Sequence, residues 1–315
     1  MRPLVLALNP SVDVEWRVVG VRWEEKNEVL AERRWPGGKG VNVSRWLKLL
    51  GAKPRLLLPL GGRNGEEMAG GLRSEKIRSR VIPLREATRA NVIVTAPAQG
   101  QLRFNPAGPR LSVAEWRGVL RACDEELKRA SILVLSGSLP RGLPAAAYAT
   151  LIRLGHSAGV RTLLDCDGAP FAAAIRARPF LVKPNQHELA QWAGVKLPTR
   201  AAVVNAAGRL SQATGGWVLV SLGAEGALLV HEEQRQKFVA HPPRVTVRNT
   251  VGAGDALLAA VAREISLGST PEEWLRPGVA AGTALAGGEA GSLPSLSRLR
   301  RLAVQTKVSG SSNCQ

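Results

Sequence analysis

The chain has 315 residues and carries 43 Lys and Arg against 25 Asp and Glu, a formal charge of +18. Hydrophobic residues make up 45%, as in globular proteins, and no apolar run approaches the roughly 18 residues that cross a bilayer, so a helical membrane span is excluded. The basic residues are spread along the chain without interleaved aromatics, which argues against a specific nucleic-acid surface and leaves a charge suited to anionic substrates.

An apolar strand is expected at Leu4 to Leu8, and the lack of a small-residue cleavage site beside it argues against a secretory signal. Cys123, Cys166 and Cys314 are scattered and lack metal spacing, so the expectation is a cytoplasmic protein in a reducing compartment. After the strand comes Asn9-Pro10-Ser11-Val12-Asp13, where Asp13 can accept hydrogen bonds from hydroxyls or simply form a turn. Val14 to Arg34 reads as short alternating strands. Trp35 to Ser44 is a glycine-rich turn opening a helix over Gly40 to Leu50. It is not a Walker loop, since the spacing from glycine to lysine differs and no Ser or Thr follows Lys39. It can still hold an anion, because Gly37, Gly38 and Gly40 permit close backbone approach, Lys39 adds a charge and Asn42 can bond a hydroxyl.

Strands are expected at Arg55 to Leu60, Ile132 to Leu135, Val160 to Asp165, Phe180 to Lys183 and Trp217 to Ser221. Helices are expected at Val113 to Arg129, Ala145 to Ser157, Asn185 to Ala193, Ala201 to Ala213, Ala253 to Leu267 and Glu272 to Ala286. This alternation predicts a mostly parallel sheet with helices on both faces. Asn91 to Phe104 again reads as short strands, and the polar, serine-rich tail 306–315 reads as disordered. His156, His187, His231 and His241 show no ligand spacing and read as surface residues.

The most informative segment is Asn249-Thr250-Val251-Gly252-Ala253-Gly254-Asp255, two glycines running into an apolar helix. Such a turn offers bare N–H groups and the positive end of a helix dipole to a phosphate. Asp255 would repel that phosphate unless it has a task, such as taking the proton of an attacking hydroxyl.

With Asn9 to Asp13, Gly37 to Asn42, Thr88-Arg89-Ala90-Asn91-Val92, Phe104-Asn105-Pro106, Ser136 to Pro140, Lys183 to Leu189 and Ser221 to Ala227 in this order, the chain resembles the PfkB family of ribokinase-like carbohydrate kinases over nearly its whole length. Lys39 in the glycine turn and the run Thr88 to Val92 resemble the branch holding 1-phosphofructokinases and tagatose-6-phosphate kinases, and Phe180 to Pro198 leans toward the former. The resemblance implies an α/β fold, a three-layer α/β/α sandwich with a small β-sheet lid. It places the core in 1–13, 36–88 and 105–305 and the lid in 14–35 and 89–104, with the lid as a homodimer contact.

It implies an ATP-dependent kinase with Asp255 as the base and the amides of Gly252, Ala253 and Gly254 facing the transferred phosphoryl group. Asp13, Gly38, Lys39, Asn42, Arg89, Asn91 and Ser138 would hold a sugar phosphate, with Arg89 on its phosphate and Lys26 reaching the same group from the lid. Lys183, Asn185, Ser221, Gly223, Glu225 and Gly226 would meet ATP, and Glu188 would support Mg²⁺ through waters. Fructose 1-phosphate is the expected substrate, with tagatose 6-phosphate and fructose 6-phosphate as alternatives. The chain departs from the pattern at Asn249, at Asp165-Cys166-Asp167 and at Arg103, and Arg103 leaves the choice of sugar phosphate open. A non-catalytic sensor on the same fold is a further alternative, against which the intact Asp255 argues.

Overall fold

The computed structural model describes residues 1–248, 250–288 and 292–312; Asn249 and Cys314 lie outside them. The strands are β1 (Pro3–Leu6), β2 (Ser11–Arg17), β3 (Ala31–Gly37), β4 (Arg55–Leu60), β5 (Ser79–Pro83), β6 (Arg89–Ala96), β7 (Gly100–Phe104), β8 (Ile132–Ser136), β9 (Thr162–Asp165), β10 (Leu181–Val182), β11 (Trp217–Ser221), β12 (Ala227–His231), β13 (Gln236–His241) and β14 (Lys307–Ser312). The helices are α1 (Lys39–Leu49), α2 (Gly62–Ser74), α3 (Val113–Leu127), α4 (Ala147–Ser157), α5 (Gly168–Ala174), α6 (Gln186–Ala193), α7 (Arg200–Thr214), α8 (Ala253–Leu267), α9 (Pro271–Ala286) and α10 (Leu296–Gln305).

One sheet runs β14-β13-β12-β11-β10-β9-β8-β1-β4-β5. It is parallel from β11 to β5 and antiparallel from β11 out to β14. Its central strands are continuous apolar runs because both faces are covered. Side chains alternate across the sheet, so Val5, Leu56, Leu58 and Val134 enter one core while Leu4, Leu6, Leu57 and Leu135 enter the other. The first core is closed by α1, α2, α8, α9 and α10, through Trp46, Met68, Leu257, Trp274 and Leu302. The second is closed by α3 to α7, through Val119, Tyr148, Phe171, Leu189 and Leu210. The result is the three-layer α/β sandwich expected from the alternation.

A second sheet, β3-β2-β6-β7, stands apart from the first. In it β2 pairs β3 antiparallel and β6 parallel, so Asp13 lies between its register partners Trp35 and Asn91.

Two expectations need correction. The tail is not disordered through 312: β14 pairs antiparallel with β13 from Lys307 to Ser312, and Thr306 is buried. A polar sequence can do this because the open edge of β13 supplies a backbone ladder that needs no apolar side chains. His231 is not a surface residue either; it is buried with its ring edge-on to Trp217 at 4.9 Å. Cys123 and Cys166 are free and buried. Among the described residues no helix is long and apolar enough to cross a membrane.

Candidate active site

The parallel strands deliver their side chains to one edge of the sheet, where open α/β sheets hold ligands. Asp165 ends β9, Lys183 follows β10 and Ser221 ends β11, while the first turns of α1 and α8 contribute Lys39, Asn42 and Asp255.

Asp165 is the hub. It is 1% exposed, with Lys39 Nζ at 3.2 Å from Oδ1 and Lys183 Nζ at 3.4 Å from Oδ2. Burial alone would raise its carboxyl, but Lys183 and Lys39 outweigh that and hold it below the usual carboxylate range. Lys39 in turn stays firmly charged, its ammonium pushed well above the usual lysine value chiefly by Asp165. The Lys183 ammonium also sits against α8, since a Cβ built on Gly254 would lie 3.2 Å from its Nζ.

Asp255 is buried in the first turn of α8, and its Oδ2 accepts from Asn42 Nδ2 at 2.9 Å. Burial, with the nearby charge of Asp165, pushes its carboxyl up to about 7 against the opposing pull of Asn42, Lys39 and Lys183. Gly252 caps the helix at φ 82°, a left-handed conformation that a side chain would strain. No cap side chain bonds the first turn of α8, and helix first turns leave N–H groups without intrahelical partners. The Ala253 amide donates to the Thr250 carbonyl at 3.3 Å.

From the second sheet comes Asp13, whose Oδ1 accepts from Ser11 Oγ at 2.8 Å and Asn91 Nδ2 at 2.9 Å. Burial raises its carboxyl despite those two bonds and the charges of Arg45 and Arg89. Gly37 makes room for it, because a Cβ there would lie 2.2 Å from the carboxylate. Arg89 donates to the carbonyls of Pro106 (2.8 Å) and Asn9 (2.9 Å), which aims its guanidinium along the loop. Ser138 Oγ accepts from Asn9 Nδ2 at 3.1 Å.

These groups line a polar chamber of about 660 Å³ that includes Asp13, Gly38, Lys39, Asn42, Arg89 and Asp255 among its walls. Ser138, Asn91, Lys183, Glu188 and Arg103 line it as well. A second chamber of about 620 Å³ is walled by apolar residues of α8 and α9 and by the segment 242–247. Asn185, Ser221, Thr250 and Gly254 belong to both chambers, so the two meet beside Asp255.

Gly223 and Gly226 line the second chamber, but Glu225 does not: its exposed carboxylate pairs with Arg200 at 3.2 Å. Lys26 stands on the exposed stretch between β2 and β3 and lines neither chamber. Asn185 and Glu188 form a reciprocal cap, with Glu188 Oε2 accepting from the Asn185 amide and Asn185 Oδ1 from the Glu188 amide, both at 2.8 Å. Sequence reading had noted Asp165 only as a departure. Its position at the end of a buried strand was the available signal.

The chain matches the pfkB family carbohydrate kinases over residues 11–296. It is 34% identical over 267 residues to the 1-phosphofructokinase of Xanthomonas campestris pv. campestris, covering 83% of each chain. It is 34% identical to the ATP-dependent 6-phosphofructokinase isozyme 2 of Escherichia coli K12 over 90% of this chain and 92% of that one. The structure of phosphofructokinase-2 from Escherichia coli in complex with fructose-6-phosphate superposes with a TM-score of 0.89 at 32% identity, covering 96% of this chain and 98% of that one. The chain therefore belongs to the PfkB family of carbohydrate kinases. It is a sugar-phosphate kinase, a phosphotransferase whose acceptor is a hydroxyl group.

Proposed function

We propose that this kinase transfers the γ-phosphoryl group of ATP to the 6-hydroxyl of D-fructose 1-phosphate, giving fructose 1,6-bisphosphate. The observation that carries the reading is the junction of an apolar and a polar chamber at a buried carboxyl raised to about 7. The adenine and ribose enter the apolar chamber, and the phosphate chain runs past Asn185, Ser221 and Gly254 toward Asp255. The sugar lies in the polar chamber with its hydroxyls on Asp13, Asn91 and Asn42, and its own phosphate toward Arg89 and Arg103. Asp255, held by Asn42, takes the proton of the acceptor hydroxyl as that oxygen attacks. The amides of Gly252 and Gly254 and the charges of Lys39 and Lys183 offset the negative charge on the transferred group, and such preorganised donors typically contribute several kcal/mol.

Among the described residues no group of three His, Cys, Asp or Glu is placed to hold a metal. Glu188 spends one oxygen on its cap. That donor set suits a magnesium ion held mainly by phosphate oxygens and waters, with Glu188 orienting a water, and the ion would screen the charge of the phosphate chain.

Fructose 6-phosphate is the second reading, favoured by the likeness to the fructose-6-phosphate complex. ADP release with MgATP against fructose 1-phosphate, fructose 6-phosphate and tagatose 6-phosphate decides between them. A preference for fructose 1-phosphate of about a hundredfold in kcat/KM, equivalent to about 2.7 kcal/mol, is the expected result. Preference for a 6-phosphate overturns the substrate and keeps the chemistry, whereas no turnover of any sugar phosphate overturns the mechanism.

A further inference from the structure

At the opposite edge of the large sheet, where β1, β4 and β5 begin, lies a cavity of about 280 Å³. Its walls carry Arg2, Lys53, Arg55, Arg78 and Arg129 against a single carboxylate, Glu126. That carboxylate is already engaged, by Arg55 at 3.1 Å and by Arg80 at 3.4 Å. Arg2, Lys53, Arg78 and Arg129 make no ion pair among the described residues. Arg129 follows the last turn of α3, where the helix dipole favours a cation. The dipole does not account for the other three, which arrive from before β1, before β4 and before β5.

Like charges gathered around one concavity repel one another unless an anion sits between them. The cavity is large enough for several waters' worth of ligand, at about 30 Å³ each. Guanidinium groups grip phosphate oxygens in pairs, and an ammonium adds a point charge. We propose that this cavity is a second anion site, separate from the catalytic chambers, that takes a small soluble anion with two or more phosphate groups. Five cations from four separate stretches of chain converge on this one cavity, whereas Arg34 and Arg141 elsewhere on the surface are each paired, with Glu67 and Glu86.

The test is calorimetric titration of the 315-residue chain with inorganic tripolyphosphate in about 0.15 M KCl, a salt level that screens diffuse attraction. AMP, whose single phosphate puts it outside the proposed ligand class, is present in excess to fill the nucleotide chamber. The expected result is one residual binding event, weakened about tenfold or more in Lys53→Glu/Arg78→Glu and kept in Lys39→Ala, which alters the polar catalytic chamber. The Lys53→Glu/Arg78→Glu variant should melt at the wild-type temperature and phosphorylate sugar at the wild-type rate, since both positions are exposed and remote from Asp255. Absence of residual binding, equal binding by wild type and Lys53→Glu/Arg78→Glu, or loss of binding in Lys39→Ala would each overturn the proposal. So would a DNA duplex binding the same residues more tightly than tripolyphosphate, because the site would then be a nucleic-acid contact.

Discussion

A carboxylate that must accept a proton near neutral pH has to be made more basic than it is in water. At Asp255 burial and the neighbouring Asp165 do this, and Asn42 keeps the carboxylate aimed. In the proposed role of Asp255 the working form is the charged one, so kcat/KM should fall as pH drops below about 7, as the free enzyme's base gains one proton. A profile that stays flat down to pH 5 would remove Asp255 from that role. Asp255→Asn should lower kcat by several powers of ten without unfolding the protein. The sign of the linkage adds a control. A carboxyl raised in the folded state is a charged, buried liability above its folded value, so the Asn variant should melt at pH 8 no lower than wild type. Asp255, Lys39 and Asn42 were readable from the sequence because each sits in a short glycine motif beside a helix start. Asp165 gave only the signal of a buried strand's end, since its place between two lysines far apart in the chain exists only in the folded sheet.

At the level of single elements, the central strands were readable because a strand covered on both faces must be apolar throughout, as Ile132 to Leu135 are. Strand β14 was not, for its Lys-Val-Ser-Gly-Ser-Ser sequence is polar and its partner lies far upstream. His231 was misread for a related reason, because the ring of Trp217 that shelters it belongs to the neighbouring strand. Deleting 307–315 should therefore unzip a real ladder. The expected outcome is a melting temperature lower by several degrees and association through the bared edge of β13, followed by light scattering. A truncated chain that melts like wild type and stays at the same mass would show that β14 adds nothing to the sheet.

For the molecule as a whole, the small sheet matters more than its size suggests. Val19, Trp23, Leu30, Leu102 and Phe104 are exposed on it or on its connecting stretches, an apolar surface of the kind that subunits cover. We propose a homodimer through this lid in a cytoplasmic enzyme, and light scattering at working concentration should return about twice the 33.5 kDa chain mass. A monomer would refute it, and a tetramer would place the chain with the inhibited form of Escherichia coli phosphofructokinase-2. The pairing of Asp13 with Asn91 also bears on how such a protein can change over generations. Length can vary in 18–30, which lies outside the β2 and β3 ladders, without disturbing recognition. One residue inserted within Ser11–Arg17 ahead of Asp13 would turn that carboxylate to the other face of the sheet. Such a descendant would keep its core, both chambers' other walls and Asp255, and would lose the sugar contact proposed for Asp13.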